Sequence, residues 1–128
     1  MKVETSTGNV ADRISILLLK LERIPDEDAR AHIERELAAL VAAWEEAALP
    51  PRGDLAPWPR LHDVNRHLWE VEDALRRHEA EGDFGPEFIA LARSVYRLND
   101  ERAALKRQIS EATGSVFVDQ KSYGQPAR

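Results

Sequence analysis

Between Pro86 and Ala112 the apolar residues recur at alternating steps of three and four: Phe88, Leu91, Val95, Leu98, Leu105, Ile109 and Ala112. A helix turns once in about 3.6 residues, so this spacing gathers them on one side and demands a surface to bury them against. One position breaks the stripe. Between Leu98 and Leu105 the series continues with Arg102, a guanidinium where an apolar side chain belongs, with Asn99 and Lys106 one step round the helix. A chain built on such a segment must bury a long helix and also supply partners for a cation on its buried side. Leaving one member of a buried ion pair alone costs roughly 3 to 5 kcal/mol.

The rest of the chain reads as three further helices. Thr5-Ser6-Thr7-Gly8 offers hydroxyl caps for a helix of about residues 9–24, closed by Pro25, which cannot continue it. Its stripe is Val10, Ile14, Leu17, Leu21 and Ile24, but Ile16, Leu18 and Leu19 fill the other sides. A helix apolar almost all round is central in its fold or lies at a subunit interface. Asp26-Glu27-Asp28 sets carboxylates at the positive end of a second helix, about 27–48, with Ile33, Leu37, Leu40 and Trp44 inward. The breaker-rich stretch from Leu49 to Pro57 permits either a hairpin or a crossover. A third helix, about 58–81, carries Leu61, Val64, Leu68, Val71, Leu75 and His78 in the same alternation. Gly82-Asp83-Phe84-Gly85 is so short a link that the third helix and the fourth, about 86–113, form an antiparallel hairpin. Ser115 to Asp119 has strand-like composition, and one strand cannot make a sheet, so residues 115–128 are expected as an extended tail. The expected fold is therefore all-α: a single-domain four-helix bundle with a C-terminal helical hairpin and a short tail. A homodimer through the over-apolar first helix is also expected.

Composition limits the function classes. The formal net charge of -5 argues against nucleic-acid binding, which needs a basic face to displace counterions. Without cysteine there is no thiolate nucleophile, thiolate metal site or disulfide. No window approaches the roughly 18 apolar residues of a membrane span, and the first residues lack the pattern of a signal peptide, so a cytoplasmic protein is expected.

The polar residues support competing readings. Antiparallel pairing of the last two helices would bring Arg102 and Asn99 toward Glu72, Asn65 or Asp73, as a buried network fixing helix register. Alternatively Lys20, Arg76, Arg102 and Lys106 line a pocket for an anionic ligand, with Glu72 or Asp73 as acid or base. Trp69 and Tyr96 could stack on a ligand, and Lys121 and Tyr123 could fold over a site. Glu70 and Asp73 make an E-x-x-D pair, which helical nucleotide pyrophosphohydrolases use to hold magnesium, but no E-x-x-E precedes it. His62 and His67, five apart, point to different sides of a helix, and no metal or other cofactor is expected.

Four ordered blocks also carry a resemblance: Asp12 to Leu17 with Lys20 to Ile24, Val64 to Asp73, Phe88 to Arg102, and Asp119 to Tyr123. Together they resemble an uncharacterised bacterial family, a helical domain of unknown function sometimes found near polysaccharide glycosyltransferases. The resemblance implies no catalytic role; it marks Lys20, Asn65, Trp69, Glu72, Asp73, Arg93, Tyr96, Asn99, Asp100, Arg102, Lys106, Lys121 and Tyr123 as positions of interest. The leading functional expectation is a binding or accessory protein that recognises an anionic small molecule or a protein partner through the inward cluster. A small metal-independent enzyme using Glu72 or Asp73, with Arg102 and Lys106 holding the substrate, is the alternative from another class. A purely structural partner-binding bundle is the third.

Overall fold

The computed structural model describes residues 5–114, which form four helices and no strand: α1 (Thr7–Arg23), α2 (Glu27–Glu46), α3 (Trp58–Glu81) and α4 (Pro86–Ala112). A single 3-10 turn, Arg52–Asp54, lies in the connection between α2 and α3. The tail expected over residues 115–128 lies outside the described residues.

Local chemistry sets the helix ends. Ser6 caps α1 by accepting a hydrogen bond from the Asn9 amide, and Asp26 caps α2 by accepting from Ala29. The first helix starts earlier than its apolar stripe, because the hydroxyl cap decides the start. Gly82 closes α3 in the left-handed conformation at φ 69°, which glycine adopts without a steric penalty. Helix α2 stops two residues short of the expected Ala48, which itself takes a positive φ of 56°. Pro86 occupies the first turn of α4, where its missing N–H is no loss.

Cross-helix contacts fix the topology that the connection around residues 49–57 left open. Arg13 meets Glu36 at 2.7 Å, and Arg30 donates to the carbonyls of Leu21 and Ile24, so α1 and α2 run antiparallel. Those two carbonyls stand at the end of α1, where no helical partner exists for them. Arg23 reaches Glu70 and Ser15 reaches His62, so α1 and α3 run parallel. Arg60 binds Glu101 at 2.5 Å, which makes α3 and α4 antiparallel. The order is up, down, up, down. The α2–α3 connection crosses one end of the bundle, pinned by the Trp44 indole donating to the Pro50 carbonyl at 2.8 Å.

Helix α1 touches all three others, while α2 has no extended contact with α3 or α4. Thus α1, α3 and α4 form most of the core, to which α2 adds Trp44 while otherwise buttressing α1. Ala11, Ile14 and Leu17 of α1, Leu61 and Val64 of α3, and Ile109 of α4 are fully or almost fully buried. The over-apolar character of α1 fits this central position, since three helices pack against it.

The crossing of α1 and α4 is unusually close. A Cβ on Gly8 would stand 2.1 Å from the Lys106 carbonyl oxygen and 2.8 Å from Ser110 Oγ, while the Gly8 amide donates to that hydroxyl at 2.9 Å. Neither backbone can give way cheaply. Gly8→Ala is therefore expected to lower stability by about 1–3 kcal/mol in thermal or urea unfolding. Gly53→Ala, where a Cβ meets nothing within 4 Å, should leave the transition nearly unchanged.

Candidate functional site

Three helical rows converge inside the bundle. Gly8, Asp12 and Ser15 follow one another on α1; Trp58, His62, Asn65 and Trp69 on α3; Arg102, Lys106 and Ser110 on α4. Steps of three or four set each row along one side of its helix. Where the rows meet, Arg102 grips Asp12 with two parallel bonds, Nε to Oδ1 at 2.9 Å and Nη2 to Oδ2 at 2.6 Å. This is the fork-to-fork geometry that makes a guanidinium–carboxylate pair both strong and oriented. The Asp12 side chain is 7% exposed and that of Arg102 28%, so the pair lies largely out of water.

The remaining valences are filled in sequence. One Asn65 Nδ2 proton goes to Asp12 Oδ1 at 3.0 Å and the other to Ser15 Oγ at 3.1 Å. Because Ser15 accepts from Asn65, its own proton is free to go to His62 Nδ1, 2.7 Å away. That arrangement suits a neutral imidazole protonated on Nε2. Burial, assisted by the nearby charge of Arg66, holds the His62 pKa below its ordinary value against the opposing charges of Glu22 and Asp63. His62 stacks on Trp58 at 5.7 Å with 15° between the rings, and the Arg52 guanidinium sits 5.4 Å above Trp58. Among the described residues, Arg52 Nε is the buried side-chain nitrogen that no hydrogen bond satisfies.

The expected partners of Arg102 are thereby corrected. Asp12 takes the role foreseen for Glu72 or Asp73, and Asn99, expected beside Arg102, is exposed. Glu72 is exposed and Asp73 pairs with Arg76 on the surface at 3.0 Å. Both carboxylates stand about 10 Å or more beyond Asn65 along the axis of α3, seven and eight residues on. Of the expected residues, the bonds among the described residues join Asn65 and Arg102 into one network.

Several others lie elsewhere. Lys20 lies on the α2 side, where its charge acts on Glu36. Glu36 is held below the ordinary carboxylate value chiefly by the hydrogen bond from Arg13, which outweighs its partial burial. Trp69 packs under the Arg23 guanidinium at 5.6 Å. Arg93, Tyr96 and Asn99 are exposed on α4, Lys106 is half-buried, and Lys121 and Tyr123 lie outside the described residues. Among the described residues no group of three or more His, Asp or Glu comes together to hold a metal ion. Nor is any described helix long and apolar enough to cross a membrane.

Comparison with known proteins gives this architecture a place. Over residues 1–128 the chain matches a family of unknown function, DUF6165. The chain belongs to that family. No curated protein and no solved structure matches it. In this DUF6165 chain the network therefore has to be read from its own geometry. Asp12, Ser15 and His62 are the members that sequence reasoning passed over. Their signal was the small and polar row Gly8, Asp12, Ser15 running through an otherwise apolar helix.

Two measurements probe the network. Arg102→Met should cost about 3 kcal/mol, the low end for a broken buried pair because Arg102 keeps some exposure. Adding Asp12→Leu should recover most of that loss in the same unfolding assay, since both charges are then gone. A folded His62 pKa below the unfolded value of about 6.5 means the unfolded chain binds the proton more readily. Its contribution is present above pH 6.5 and is lost as the pH falls through the folded pKa. Between pH 7 and 5 the melting temperature of the wild type should fall more than that of His62→Gln.

Proposed function

We propose that the protein works as a binding module, with the outer face of α4 as its recognition surface and the Asp12–Arg102–Asn65–Ser15–His62 network as the scaffold that fixes that face. The observation that carries this reading is where large apolar side chains meet water. Phe84, Ile89 and Tyr96 are 52%, 48% and 74% exposed, and they lie in the α3–α4 turn and on α4. Ile89, Arg93 and Tyr96, spaced four and three apart, make one exposed row. Tyrosine and arginine are the side chains that most often carry binding energy in protein interfaces.

The inner cluster is the weaker candidate for recognition. Convergent donors around an open cavity call for a ligand, whereas donors that already face acceptors call for none. Asn65 spends both amide protons inside the network, and Arg102 spends two of its donors on Asp12. The enzymatic alternative needs Glu72 or Asp73 beside Arg102, and the axial separation along α3 works against it. A role in cell-surface polysaccharide synthesis rests on the family resemblance alone.

The test is site-specific photo-crosslinking in cells. Benzoylphenylalanine at position 96 should give a discrete adduct, while the same residue at position 38, exposed on α2, should give none. Arg93→Glu should reduce the adduct at least fivefold. Equal labelling at both positions, or no adduct at position 96, overturns the proposal.

A further inference from the structure

We infer that Arg52, in the turn before α3, anchors a binding site for an oxyanion, the phosphate or carboxylate group of a small molecule. The site stands at the opposite end of α3 from Phe84 and is independent of the α4 recognition surface proposed above.

The turn is fixed on both sides of Arg52. The Pro50 carbonyl takes the hydrogen bond from the Trp44 indole, and the Pro51 carbonyl accepts from the Asp54 amide at 2.9 Å. The Arg52 carbonyl accepts from the Leu55 amide at 3.0 Å, and the buried Leu55 side chain ties the turn to the core. Within this frame the Arg52 guanidinium lies 5.4 Å above Trp58, whose ring stacks on His62. His62 is in turn bonded through Ser15 to the inner network. The cation is therefore held in place before any ligand arrives, which lowers the entropy cost of binding.

Its electrostatics are unfinished. Arg52 Nε is out of water without an acceptor, and among the described residues neither Nη atom meets a carboxylate, carbonyl or hydroxyl oxygen. Of the three nitrogens only Nε is sealed off, so the two Nη atoms reach the surface. Half-buried arginines elsewhere are answered: Arg13 by Glu36, Arg30 by the Leu21 and Ile24 carbonyls, Arg66 by Asp63 and Arg102 by Asp12. Asp54 belongs to the same turn, but two residues along a 3-10 turn is about two thirds of a revolution, which aims it elsewhere. A cation stripped of part of its hydration and given no counter-charge is costly. An anion laid across the Nη edge supplies that charge, and a guanidinium offers two parallel N–H groups to two oxygens of one carboxylate or phosphate. The start of α3 adds to the field. Its first turn has no acidic residue and no side-chain cap, whereas α2 begins with Asp26, Glu27 and Asp28, so nothing in that turn offsets the positive end of the α3 dipole beside Trp58.

The test is an NMR titration of the isotopically labelled full chain with inorganic phosphate, and separately with acetate, at constant pH and with ionic strength balanced by sodium chloride. The indole N–H signals of Trp44, Trp58 and Trp69 are the reporters. The Trp58 signal should move along a saturating curve with a Kd of about 1–10 mM for at least one of the two anions, while the Trp44 and Trp69 signals stay in place. Saturation by phosphate assigns a phosphate group, and saturation by acetate alone assigns a carboxylate. Arg52→Met should abolish the saturating shift. Arg52→Lys, which keeps the charge and loses the fork, should weaken binding roughly fivefold. Arg77→Met, at an exposed arginine later on α3, should bind as the wild type does. Wild-type positions of the Trp44 and Trp69 signals in each variant show that the fold is intact. A response linear in both anions, an equal response to sodium chloride alone, or a saturating shift that survives Arg52→Met overturns the inference.

Discussion

The bidentate bond between Arg102 and Asp12 organises this bundle, because each of its members would be intolerable without the other. Burying a guanidinium or a carboxylate alone costs more than most single contacts return. The pair is also directional, so only one rotation and one height of α1 against α4 satisfies it. Apolar side chains are more forgiving, since they tolerate sliding so long as the volume stays filled. The network through Asn65, Ser15 and His62 extends the same directional requirement to α3. Three helices are thereby fixed in register by one connected set of hydrogen bonds.

The crossing at Gly8 and the pair at Asp12 reinforce each other. With no side chain at Gly8, the α1 backbone can approach α4 near Lys106 and Ser110. That proximity brings the Asp12 carboxylate, one turn along, within reach of Arg102. Helix α2 takes no part and is held to α1 by a different set of contacts, the Arg13–Glu36 pair and the caps that Arg30 places on the end of α1. The molecule is thus a specified core of three helices with a buttress attached less exactingly.

Much of this was legible in the residues. Periodicity gave four helices, and the short Gly82 to Gly85 link gave the α3–α4 hairpin, because both depend on local spacing. Arg102 stood out as an interruption of its stripe. Its partner did not, since Asp12 is ninety residues away and lies beside the apolar stripe of its own helix, where a carboxylate is ordinarily solvated. Pairing across that distance is decided by how three helices rotate, which no single helix encodes. Glu72 and Asp73 looked suitable because the α3–α4 hairpin guarantees proximity in general, but the register fixed by Arg60 and Glu101 puts them too far along. His62 and Ser15 were invisible for the same reason: each is unremarkable alone, and only the parallel packing of α1 on α3 joins them.

The separation of Asp12 from Arg102 along the chain also has a consequence in time. On the ribosome α1 emerges first and α2 can fold against it at once, since they are neighbours in sequence. The third side of α1 stays open until α4 has been made, and until then Asp12 has no cation to meet and remains hydrated. Closing so long a loop is the step that contact order makes slow. The order of synthesis therefore sets the α1–α2 hairpin waiting with an apolar flank uncovered, and the arrival of Arg102 completes the domain.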